Sequence, residues 1–131
     1  RLRPGALEGR TLKDALEKMI HEYQNLSNLQ VDLIYEWVDV DMDVMIEDTI
    51  FRVIQESMTN AVRHGHASLM ELHFFEDEAD YMIELQDNGV GFETLTYGYG
   101  LKQMMERISI LGGQLQFESR DGFFTRVSLP K

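Results

Sequence analysis

Glu56, Asn60 and His64 stand four residues apart in the run ESMTNAVRHG, and at that spacing helical side chains line one flank. At about 100° per residue the stripe runs beside the apolar line of Ile50, Val53 and Ala61, so carboxylate, amide and imidazole meet the edge of a core. Most helices carry a solvated polar flank of this kind, and the stripe alone does not separate the two readings. A second candidate is Asp87-Asn88-Gly89-Val90-Gly91-Phe92, which follows a stretch where Tyr81, Ile83, Leu85 and Asp87 alternate onto one face. A carboxylate on that apolar side is costly unless something donates hydrogen bonds to it, and Gly89 and Gly91 let backbone approach a ligand closely. The bland alternative is a common DNG turn. A third candidate, Gly98-Tyr99-Gly100-Leu101, opens an amphipathic segment. Glycines there free helix N-terminal N–H groups for a phosphate, or simply form a flexible cap. The spacing fits neither GxxxxGK[ST] nor a strand-GxGxxG-helix order.

The elements that would hold these residues follow from hydrophobic period. Thr11 with Asp14 reads as a helix start, and Leu12, Ala15, Leu16, Met19, Ile20 and Tyr23 recur at helical spacing, predicting a helix from about 12 to 24. Residues 29–38 alternate as a strand. A longer helix is expected from Val44 to about His64, ended by Gly65. Strands are expected at 68–75 and 80–87, then a helix at 101–111 whose buried line is Leu101, Met104, Met105, Ile108 and Leu111, then strands at 114–118 and 123–129. Strands and helices are segregated rather than alternating, which predicts an α+β two-layer sandwich with three helices on one face of a mixed five-stranded sheet.

Bulk properties narrow the function. One domain of 131 residues fits the length. Twelve Lys and Arg against 23 Asp and Glu give a net charge of -11, which repels nucleic acid and anionic membrane surfaces. A polyanionic small molecule would therefore need backbone N–H groups, a few cations or a metal ion. There is no cysteine, and the four histidines lack zinc spacing. No apolar run reaches the roughly 20 residues of a membrane span, so a soluble domain without membrane contact is expected, and the lack of cysteine fits a reducing, cytoplasmic setting. RLRPGALEG, with Pro4, Gly5 and Gly9, reads as the tail of a linker. His21-Glu22 sits off its helix's apolar line, and EDEAD at 76–80 reads as a solvated turn.

Together the three motifs resemble the ATPase domain of the histidine kinase, gyrase, Hsp90 and MutL superfamily, the Bergerat ATP-binding fold. ESMTNAVRHG looks like the N box, DNGVGF the G1 box, and GYGLKQMMERISILGGQLQFES the G2 box with its following helix and strand. LRPGALEGRTLKDAL is similar to the join between dimerisation helices and ATPase domain in the branch with NarL-like response regulators. The resemblance covers nearly the whole chain. It implies residues 1–10 as a linker from a dimerisation and phosphoacceptor domain and 11–131 as the ATP-binding catalytic domain.

By that resemblance ATP and Mg²⁺ are the cofactors. Asn60 would coordinate Mg²⁺, Glu56 would assist at the metal or its water, and Asp87 would accept the adenine amino group. Gly89 and Gly91 would shape the pocket floor, and Gly98, Gly100 and Leu101 would meet the phosphates. Arg63 or His64 would add positive charge, and Thr125 would lie near the adenine. The implied partners are a histidine-bearing dimerisation domain of the same protein and a response regulator. Two features depart from the family: RDGFFT stands where Gly-x-Gly-Thr is usual, placing Phe124 at a glycine position, and the loop from Glu93 to Tyr97 is very short for an ATP lid. Two rival functions share the pocket: an anti-sigma-factor type serine kinase, and a non-catalytic interaction module.

Overall fold

The computed structural model describes residues 5–95 and 98–131, apart from the side chain of Tyr99. Arg1–Pro4 of the expected linker and Thr96 and Tyr97 of the expected lid lie outside the described residues. The elements run α1 (Leu12–Leu26), β1 (Gln30–Tyr35), α2 (Val44–Arg63), β2 (Leu69–Glu76), β3 (Asp80–Asp87), α3 (Tyr99–Ile110), β4 (Gln114–Ser119) and β5 (Phe123–Pro130). They build one sheet in the order β1-β2-β3-β5-β4. β1 pairs with β2 in parallel and every other pair is antiparallel, so the sheet is mixed.

The helices bury their apolar lines against a single sheet face. Leu16 of α1, Ile54 of α2 and Ile108 of α3 share one core with Leu72, Phe74, Ile83, Leu85 and Val127 of the strands. This is the expected two-layer α+β sandwich. α1 starts where its capping signal places it, with Thr11 Oγ1 accepting from the Asp14 N–H at 3.1 Å.

Three local expectations are corrected. β1 stops at Tyr35 rather than Val38, because Trp37 turns inward. Its Nε1–H donates to the Phe75 carbonyl at 2.7 Å, and its ring packs edge-on against Phe74. Met105 does not belong to the buried line of α3: it is 37% exposed, whereas Met104 and Ile108 are buried. With 101, 104 and 108 facing the sheet, position 105 is carried one step round the helix towards water. The left-handed residue after α2 is His66 (φ 51), not Gly65. Gly65 serves a different need: its carbonyl oxygen accepts from the Val90 N–H in the loop after β3.

The segment before α1 contributes to the core. Leu7 is buried in the same cluster. The Ala6 N–H donates to Asp48 Oδ1, and Arg52 Nε donates to Asp48 Oδ2 at 2.9 Å. Partial burial pushes the Asp48 carboxyl up, but the hydrogen bonds from Arg52 and Ala6 and the charges of Arg52 and Arg107 outweigh it and hold it below its usual range. A folded-state value below the unfolded one adds stability above the ordinary carboxylate pKa, about 3.9, and that stability fades as pH falls through the folded value. Asp48→Asn should therefore cost about 1–2 kcal/mol near neutrality and progressively less below about pH 4. Urea unfolding of both proteins across that range checks it; a cost independent of pH would remove the electrostatic account.

Candidate functional site

One cavity of about 470 Å³ gathers the candidates at the end of the sheet where α2 finishes and α3 begins. α2 and its C-cap supply Glu56, Asn60, Arg63 and His64, the end of β3 supplies Asp87 and the loop after it Gly91, and the N-cap and first turn of α3 supply Gly98, Gly100 and Leu101. Nine predicted residues thus line one space. Gly89 and Thr125 do not line it. Thr125 is buried on β5, paired with Leu85 on one side and Phe117 on the other.

Asp87 is the best-defined polar group in the cavity. It ends β3 only 5% exposed, on the same side as Ile83 and Leu85. Its Oδ1 accepts from the Gly89 N–H and the Phe123 N–H, both at 2.9 Å. Two backbone donors fix the carboxylate plane, and they answer the desolvation cost that the sequence pattern raised. Among the described residues nothing donates a hydrogen bond to Oδ2, so that oxygen is the one available to a ligand. The arrangement presents a fixed acceptor at the end of a strand.

The neighbouring motif residues are structural. Asn88 Oδ1 accepts from the Ser68 and Leu69 N–H groups at 2.9 and 3.0 Å, tying the loop to the start of β2. Gly89 lies against the end of α2: a Cβ there would fall 2.4 Å from the Gly65 carbonyl oxygen. The Val90 N–H donates to that same oxygen at 3.0 Å. Gly89 therefore joins the Asp87 loop to the helix of Asn60, and its requirement for glycine is a packing one.

Phe92, Thr94, Leu95 and Phe123 also line the cavity, and sequence reasoning did not assign them to it. The Phe92 and Phe123 rings lie 5.1 Å apart. They make an apolar wall beside the buried carboxylate, the combination that suits a planar heterocycle with a polar edge. Phe92 adjoins the glycine motif, but nothing local marked Phe123, which reaches the cavity only through strand pairing.

Phe124, at the position where the related pattern has glycine, does not obstruct this wall. It belongs to the opposite sheet face, where the Arg120 and Arg126 guanidinium carbons lie 3.7 and 5.2 Å from its ring centroid. Arg126 is held there by Glu84, Nε to Oε2 at 2.8 Å.

Residues 45–131 match the family described as histidine kinase-, DNA gyrase B-, and HSP90-like ATPase. The chain is 30% identical over 131 residues to the sensor histidine kinase LiaS of Bacillus subtilis, covering 98% of this chain and 36% of LiaS. It is 33% identical over 136 residues to the signal transduction histidine-protein kinase/phosphatase UhpB of Salmonella typhimurium, covering all of this chain and 27% of UhpB. It thus spans about a third of the length of these relatives. Among solved structures, the ATP binding domain of PrrB from Mycobacterium tuberculosis superposes with a TM-score of 0.71 at 23% identity, covering 89% of this chain and 91% of that one. Fold, cavity and sequence agree, and the chain belongs to the family of histidine kinase-, gyrase- and HSP90-like ATPases, as an ATP-binding domain of the sensor histidine kinase type.

Proposed function

We propose that this domain holds ATP for transfer of its γ-phosphoryl group to a histidine on a separate dimerising helical domain, from which a response regulator takes it. The observation that carries this reading is the fixed Asp87 carboxylate facing the same cavity as Asn60, Glu56 and the N-terminal end of α3. Asp87 Oδ2 accepts the exocyclic amino group of adenine, and Phe92 and Phe123 cover the ring. The N–H groups at the start of α3 and the Arg63 guanidinium receive the phosphates. Residues 1–10 connect it to the acceptor domain, and the domain works in the cytoplasm.

A divalent cation fits this donor set. Among the described residues no three His, Cys, Asp or Glu side chains converge into a cage. One amide and one carboxylate on the same flank suit an ion that takes its remaining ligands from phosphate and water, as Mg²⁺ does. When bound, Mg²⁺ supplies charge neutralisation to the polyphosphate. Asn60 would ligate it and Glu56 would hold one of its waters. The chain's own part is to orient the nucleotide and leave the γ-phosphate open to an incoming imidazole.

Calorimetric titration with ATP and GTP, each with and without Mg²⁺, is the first test. The expected result is adenine-selective, Mg²⁺-sensitive binding. A histidine-bearing helical domain added in trans with γ-labelled ATP should become acid-labile labelled. Label appearing on serine instead would favour the anti-sigma-factor type of kinase, and binding indifferent to Mg²⁺ and to Asn60→Ala would favour a non-catalytic module.

A further inference from the structure

Gln86 and Asp87 are consecutive on β3, so their side chains leave opposite faces of the sheet. Asp87 lines the cavity. Gln86 lies on the far face, where its partner in the strand register is Phe124 of β5. From there its amide nitrogen donates to two carbonyl oxygens, that of Asp87 at 2.7 Å and that of Arg120 at 3.1 Å. An NH₂ group has two hydrogens, and here both go to main-chain acceptors of different elements, the end of β3 and the β4–β5 turn. The turn is closed on itself by the Arg120 N–H, which donates to the Gly122 carbonyl at 3.0 Å. The residue that follows it, Phe123, gives the N–H that Asp87 Oδ1 accepts at 2.9 Å. One side chain outside the cavity therefore ties the main chain of the carboxylate to the turn that supplies one of its two donors.

We propose that Gln86 is a positioning residue for nucleobase selectivity: it holds the β4–β5 turn against the end of β3 and so, through the Phe123 N–H, fixes the direction in which Asp87 presents Oδ2. The inference rests on the reading that Asp87 takes the amino edge of adenine. With both backbone donors in place the carboxylate is pinned at Oδ1 and cannot turn. If the turn shifts, the Gly89 N–H alone remains, and a single hydrogen bond leaves the carboxylate free to rotate about it. The loss then falls on adenine, which offers a donor at that edge, and not on guanine, which offers a carbonyl. The turn has a second attachment at Ser119, whose Oγ accepts from the Phe92 N–H at 2.9 Å. Removing Gln86 therefore loosens the turn without detaching it, and the domain still folds.

The test is the ratio of ATP affinity to GTP affinity, each with Mg²⁺, measured by calorimetry with thermal unfolding on the same samples. Gln86→Ala should narrow the ratio by about threefold to tenfold, through weaker ATP binding. Gln86→Glu, which sets a carboxylate against both carbonyl oxygens, should narrow it further. Glu84→Ala removes the ion pair with Arg126 on the same sheet face and should leave the ratio unchanged, which separates the turn from the face as a whole. A merely structural Gln86 would lower stability and both affinities together and leave the ratio where it was. That result overturns the proposal. So does a Gln86→Ala ratio within about twofold of wild type, or an effect of Glu84→Ala matching that of Gln86→Ala. A wild-type chain that binds no nucleotide, or shows no preference for ATP, sinks the reading of Asp87 as well; one that prefers ATP with an unaltered ratio in Gln86→Ala sinks only this inference.

Discussion

Asp87→Asn is expected to weaken ATP binding by about a hundredfold with little loss of folding stability. The two effects separate because the carboxylate oxygens have different duties. Oδ1 accepts from the Gly89 and Phe123 N–H groups, and an asparagine oxygen can accept from both in the same place. The amide nitrogen must then take the position of Oδ2 and present a donor to the cavity. Adenine offers its amino group at that edge, so two donors face each other; guanine offers a carbonyl there and should lose less, or gain. Calorimetry with both nucleotides, alongside thermal unfolding, measures this. An ATP affinity within about threefold of wild type would mean that the adenine does not lie on Asp87.

The placement of Asp87 was legible because a strand obeys a strict two-residue period. The alternation Tyr81, Ile83, Leu85, Asp87 puts the carboxylate on the core side without knowledge of what lies next to β3. The helical stripe of Glu56, Asn60 and His64 was legible for the same local reason. Strand order was not. The pairing of β3 with β5 rather than β4 depends on contacts between residues some 40 apart, for example Ile83 with Val127, and no local pattern encodes it. Phe123 therefore went unassigned to the cavity although it closes the wall beside Asp87. Burial at the margins was no more legible: Leu7 stands in a segment that Pro4, Gly5 and Gly9 mark as linker-like, while the core cluster it joins is built from residues of α1, α2 and the strands that follow it.

The acidic composition was legible as a constraint and is met locally. A chain carrying -11 can attract a nucleotide only through short-range devices, and in the proposed reading these are the N–H groups at the start of α3, Arg63, a divalent cation and the hydrogen-bond selectivity of one carboxylate. The family's glycine pattern in the last hairpin can be divided on the same physical grounds. Position 124 turns away from the cavity, so a phenylalanine there is accommodated under Arg120 and Arg126. Position 122 has no such freedom.

Gly122→Ala should be the most damaging single-methyl substitution in the chain, costing about 3 kcal/mol or more. Gly122 has φ 137, a conformation that L side chains rarely adopt. A Cβ there would also fall 2.1 Å from the Asp87 carbonyl oxygen and 2.8 Å from Asp87 Oδ1. The first obstacle is backbone and cannot rotate aside. On the other side the Gly122 carbonyl oxygen approaches a would-be Cβ of Gly91 at 2.8 Å, so the hairpin tip is wedged between the two halves of the loop after β3. Relief requires the tip to lift, which carries the Phe123 N–H away from Asp87 and frees the carboxylate that it orients. Stability and nucleotide binding should therefore fall together, unlike in Asp87→Asn. Denaturant unfolding and ATP titration on the same sample test that coupling: a destabilised protein that still binds ATP at wild-type affinity when folded would show that the β4–β5 tip does not position Asp87.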